Sequence, residues 1–135
     1  MGELYLKRKI DLFLSEWKKN PERKPLIVKG PRQVGKTESI RRFAAQSYES
    51  VIYINFVEEP KYKLITEDGY RAEDIIKNIS RIDPSKRFQP EKTVIIFDEI
   101  QDFASIATSL KFFKIDGRFD VICSGSLLGI NYREI

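Results

Sequence analysis

The chain has 135 residues, 41% of them apolar and 33% charged, with a formal net charge of +4. That composition gives one soluble globular domain and excludes disordered and fibrous classes. No apolar run approaches the roughly 20 residues a bilayer span requires, no signal-peptide core follows Met1, and the single Cys123 cannot form an internal disulfide, so a cytoplasmic, reducing setting without a membrane partner is expected.

Leu6, Ile10, Phe13 or Leu14, and Trp17 mark one face of an amphipathic helix over residues 3–19, which Asn20-Pro21 ends. The run 25–29 is the first strand, and Lys36 to Ser47 a helix with Ile40, Phe43 and Ala44 at helical spacing. Residues 51–56 form a second strand, β-branched and aromatic almost throughout. An irregular connection is expected over 57–69, then a helix over 71–82 with Ile75, Ile76, Ile79 and Ile82 inward, stopped by Asp83-Pro84. Residues 93–97 make a third strand, and 102–115 a helix using Phe103, Ile106, Leu110 and Phe113, with Gly117 as its stop. Residues 119–123 make a fourth strand that leads into Ser124-Gly125-Ser126. Near-continuous apolar strands alternating with helices predict a parallel sheet covered on both faces.

Between the first strand and its helix lies Gly30-Pro31-Arg32-Gln33-Val34-Gly35-Lys36-Thr37, a full P-loop signature in the strand-loop-helix context it needs. A triphosphate is held there by successive backbone N–H groups and by the positive end of the following helix. Gly30 and Gly35 permit backbone angles and close phosphate approach that a Cβ would block. Lys36 places a point charge on the β- and γ-phosphates, and the Thr37 hydroxyl can ligate Mg²⁺.

About sixty residues later, the apolar run 94–97 ends in Asp98-Glu99, the Walker B pattern. Carboxyl ends of parallel strands are where α/β proteins bind ligands, so both acids should face the triphosphate. Asp98 is expected to hold Mg²⁺, directly or through water, and Glu99 to act as general base on the attacking water. An ordinary strand-end charge pair is the competing reading.

Glutamate beside the metal aspartate resembles the additional-strand, catalytic-glutamate branch of P-loop proteins; no guanine-reading Asn/Thr-Lys-x-Asp motif occurs. The resemblance implies a polar sensor at the end of the fourth strand, Ser124 first and Ser126 second. It also implies that Asn55, near the end of the second strand, holds the catalytic glutamate off until a partner binds. A turn cap is the alternative for Asn55. Cys123 reads as packing.

Gly30 to Thr37, Phe97-Asp98-Glu99-Ile100-Gln101 and Ser124 to Gly129 together resemble the prokaryotic AAA-type ATPases described only as ATP-binding proteins, whose P-loop domain precedes a winged-helix-like segment and a nuclease-like C-terminal domain. The resemblance covers nearly the whole chain. It implies a three-layer P-loop NTPase fold over 1–135, with the leading helix 3–19 and a nucleotide-binding core 25–135, acting on ATP with Mg²⁺. The family continues into a fifth strand and a helical lid, whereas this chain ends at Ile135. It therefore reads as the ATPase portion of a longer protein, truncated after the fourth strand and lacking a sensor-two arginine. Its own C-terminal domains and neighbouring subunits are the implied partners. Arg118 is an arginine-finger candidate, with surface solvation the simpler reading. Basic clusters at Lys7-Arg8-Lys9, Lys18-Lys19 and Arg23-Lys24 give nucleic acid weak support, because acids are interspersed and no stacking aromatics accompany them.

Overall fold

Four short runs rich in β-branched and aromatic residues, separated by helical segments, can pair only through crossover connections, and those are right-handed. A chain that steps across a sheet in one direction and then returns must therefore place its helices on opposite faces. The computed structural model describes residues 2–30 and 35–126 and shows this arrangement. Helix α1 spans Gly2–Lys19, strand β1 Leu26–Gly30, α2 Lys36–Ser47 and β2 Ser50–Asn55. A 3₁₀ segment, Pro60–Thr66, precedes α3 (Ala72–Ile82) and β3 (Thr93–Asp98). A second 3₁₀ segment, Ile100–Ser109, leads to α4 (Leu110–Asp116) and β4 (Asp120–Ser126).

The sheet is parallel, in the order β1-β4-β3-β2. From β1 the chain crosses to the far edge through α2, then returns inward through β3 to β4. The additional strand β4 thus separates β1 from β3, and the α/β architecture with helices on both faces is the one expected. Side-chain alternation divides the core in two. Ile52, Ile54, Ile95, Phe97, Val121 and Cys123 pack beneath the 3₁₀ segments, α3 and α4. Leu26, Val28, Val94, Ile96 and Ile122 face α1 and α2 through Leu14, Ile40, Phe43 and Ala44. Each fully buried Ile, Leu or Phe stabilises by roughly 1.5–3 kcal/mol relative to exposure. Among the described residues no helix is long and apolar enough to cross a membrane.

Three local expectations are corrected. The connection after β2 is not irregular: Pro60 starts a 3₁₀ segment that buries Tyr62 and Ile65. The helix expected over 102–115 is broken, with Phe103 at φ −150° and ψ 61°, and regular α-helix begins only at Leu110. Ile100, Phe103 and Ile106 recur every three residues, which is the 3₁₀ period. Strand β4 runs on to Ser126, so Ser124 lies within the strand rather than beyond it. On α1, Leu14 is buried while Phe13 is 48% exposed, which decides between the two. Gly117 ends α4 at φ 73°, a left-handed cap that a side chain disfavours.

At the amino end of the sheet, Asp120 of β4 accepts from Arg23 (Nε–Oδ2 2.9 Å) and from the Tyr48 hydroxyl, tying the segment after α1 and the end of α2 to the central strand. The Trp17 indole N–H donates to the Lys24 carbonyl at 2.8 Å and fixes the end of α1 against the same segment.

Candidate functional site

Strands β1, β3 and β4 end together at one edge of the molecule, where α2 begins. Gly35 takes the left-handed conformation (φ 67°, ψ 23°) at the start of α2. A side chain there would be strained, which is why the loop signature requires glycine at that point. Pro31, Arg32, Gln33 and Val34 lie outside the described residues, and so do the residues after Ser126.

Lys36 is only 5% exposed, and its Nζ donates to the Gly125 carbonyl of β4 at 2.8 Å. Burial lowers its pKa below 10.5, and the charges of Asp98 and Glu99 offset part of that shift. A lysine is rarely buried this far unless anionic groups compensate it. Its neighbour Thr37 donates from Oγ1 to Asp98 Oδ2 at 3.0 Å.

Asp98 closes β3, is 3% exposed, and accepts three hydrogen bonds among the described residues. Its Oδ2 also accepts the Tyr53 hydroxyl at 2.6 Å, and its Oδ1 accepts the Glu99 backbone N–H at 2.8 Å. Desolvation, and then the bond to Asp98, raise the Tyr53 pKa and keep its phenol a donor. Asn55 pairs with Asp98 in the β2–β3 register. Its Oδ1 accepts Val57 N–H and Glu58 N–H, both at 2.9 Å, and its Nδ2 sits 3.4 Å from the Tyr53 hydroxyl.

Glu99 adopts a left-handed backbone (φ 56°, ψ 45°), uncommon for a residue with a side chain and typical of constrained sites. Its Oε1 accepts Gln101 Nε2 at 3.3 Å. Ser124 is fully buried, one step beyond the Phe97–Cys123 register pair and so beside Asp98. Its hydroxyl has no hydrogen-bond partner among the described residues, and the same is true of buried Ser39 on α2.

The sequence-predicted residues Lys36, Thr37, Asp98, Glu99, Ser124 and Asn55 are therefore gathered at one end of the sheet. Arg118 is not: it precedes β4 at the opposite end and pairs with Asp116 (2.9 Å). Cys123 is buried in the core, where burial pushes its thiol pKa up. Tyr53 was not singled out by sequence reasoning. The signal was present, since strand alternation puts Tyr53 on the same face as Asn55.

The arrangement also suits a metal. The Thr37 hydroxyl and the Asp98 carboxylate are adjacent hard oxygen donors, the set Mg²⁺ prefers beside phosphates. A family model described as an AAA domain (AAA_14) matches residues 22–135. The chain belongs to this AAA domain family. No curated protein matches the chain significantly. A solved structure of C. elegans PCH-2 is similar to this AAA domain at a TM-score of 0.50 and 12% identity, over 97% of this chain. The AAA domain spans 38% of that PCH-2 chain, and the likeness is one of fold.

Proposed function

We propose that this AAA domain binds ATP with Mg²⁺ and hydrolyses it to ADP and phosphate, as the ATPase core of a larger assembly. The observation that carries the reading is the convergence of Lys36, Thr37 and Asp98. A buried cation, a hydroxyl and a buried carboxylate meet where a glycine in left-handed conformation opens α2. Family membership supports the same reading.

The phosphates would lie against the backbone N–H groups that open α2, at Gly35, Lys36 and Thr37, with the Lys36 ammonium on the β- and γ-phosphates. Thr37 and Asp98 would hold Mg²⁺, which when bound neutralises phosphate charge. Glu99 takes a proton from water as the water oxygen bonds to the γ-phosphorus and the bond to the ADP oxygen breaks. The Ser124 hydroxyl, buried and without a partner, is a donor for that water or the γ-phosphate. A neighbouring subunit can add an arginine worth about 10³–10⁵ in rate, so turnover by the isolated domain is slow. Nucleic acid as a partner rests on the basic clusters alone.

Isothermal titration with ATP, with and without Mg²⁺, tests the reading. Binding that Lys36→Ala abolishes is expected, and equal binding by that variant overturns it. The Gln101 contact on Glu99 favours a second reading, in which ATP is held as a switch with little hydrolysis. Glu99→Gln separates the two: the hydrolytic reading requires turnover to fall by about 10²-fold or more with nucleotide still bound.

A further inference from the structure

We propose that Tyr53 is the positioning residue for Asp98, holding its carboxylate in the plane and rotamer that serve Mg²⁺; this deepens the nucleotide reading and rests on it. The Tyr53 hydroxyl donates to Asp98 Oδ2 at 2.6 Å, while Thr37 Oγ1 donates to the same oxygen at 3.0 Å. Both lone pairs of that oxygen are thus occupied, and Oδ1 is held by the Glu99 N–H. The three donors differ in what they can do next. Thr37 is itself a candidate metal ligand, so its hydroxyl oxygen would be shared between Mg²⁺ and this contact. The Glu99 N–H is fixed by its backbone. Tyr53 is then the side chain on Oδ2 that takes no part in holding Mg²⁺, and its bond keeps the carboxylate from rotating.

The phenol is itself held by two neighbours. Asn55 Nδ2 lies 3.4 Å from its oxygen, and the Arg41 guanidinium stacks 4.1 Å above its ring. Its β2 position is set by register, with Tyr53 opposite Ile96 and Asn55 opposite Asp98. Outer-shell hydrogen bonds of this kind are generally worth about 10–100-fold in metal affinity or activity.

Tyr53→Phe deletes one oxygen and leaves the ring under Arg41. Binding of a fluorescent ATP analogue is measured in EDTA and across a Mg²⁺ titration. Metal-free affinity within about twofold of the parent and a half-saturating Mg²⁺ concentration raised about tenfold are expected. In Asp98→Ala, which leaves the phenol no oxygen to donate to, adding Tyr53→Phe produces no further shift, because the tyrosine acts through the carboxylate. An unchanged Mg²⁺ midpoint, equal losses with and without metal, or additive effects in the double variant overturn the assignment. Lys36→Ala, run alongside, tells the failures apart. If it binds as well as the parent, the nucleotide reading falls and the Tyr53 role falls with it. If it does not bind and Tyr53→Phe is indistinguishable from the parent, the Tyr53 role alone is wrong.

Discussion

Asn55 and Asp98 are the last register pair of β2 and β3, yet they spend their side chains in opposite directions. Asn55 turns its carbonyl oxygen onward to cap the chain leaving β2, at Val57 and Glu58. Asp98 collects donors from α2, β2 and its own following residue. One residue of the pair organises a turn, and the other organises the site.

Asn55→Ala is expected to cost about 1 kcal/mol in urea unfolding, since two backbone N–H groups lose their acceptor. Basal turnover should not rise. A rise would mean that Asn55 restrains Glu99 rather than the turn.

Asp98→Ala strips acceptors from Thr37, Tyr53 and Glu99 together, and removes a charge that offsets the burial of Lys36. A loss of about 1–3 kcal/mol is expected, with Asp98→Asn losing less because one oxygen still accepts. Chemical denaturation of the two variants side by side checks the order.

Lys36 makes the nucleotide-free domain pH-sensitive. Its folded pKa lies below 10.5, so between the two values the unfolded chain binds a proton that the folded chain has shed. The Lys36 contribution to stability therefore rises with pH through that window and is complete above 10.5. Buried Cys123 and Tyr53, whose pKa values are raised, contribute the opposite slope, so the difference in thermal unfolding between the parent and Lys36→Met across the alkaline range isolates the Lys36 part. Saturating ATP should flatten it, because the phosphates restore the ammonium.

Ser124→Ala removes a hydroxyl that has no partner, so the fold should stay within about 0.5 kcal/mol of the parent or gain. If the hydroxyl serves the γ-phosphate, turnover falls on the order of 10²-fold while nucleotide affinity holds. A large stability loss would show that the hydroxyl is structural instead.

Much of this was legible in the sequence. The boundaries of α2 and the end of β3 follow from an apolar run meeting glycine or acid, since burial and turn chemistry change at the same residue. Asp98 was legible because an acid ending a buried strand needs donors or a metal. The break at Phe103 was not, because apolar spacing at Ile100, Phe103 and Ile106 satisfies an α-helix nearly as well as a 3₁₀ turn. Only the left-handed backbone of Glu99 starts that segment out of phase with a regular helix. Tyr53 stayed hidden for another reason: an aromatic residue in a strand is ordinarily packing, and its hydrogen bond depends on a partner 45 residues away.

The sheet also acts as a partition. By alternation Asp98, Ser124 and Tyr53 fall on the side of α1 and α2, with Val94, Ile96 and Ile122, whereas the core around Phe97 and Phe113 faces the other way. A change of charge at the site therefore presses on one layer first. The layer of α3 and α4 meets the site through Gln101, at the head of its second 3₁₀ segment, whereas α1, packed on α2, backs the face on which Asp98 and Ser124 lie.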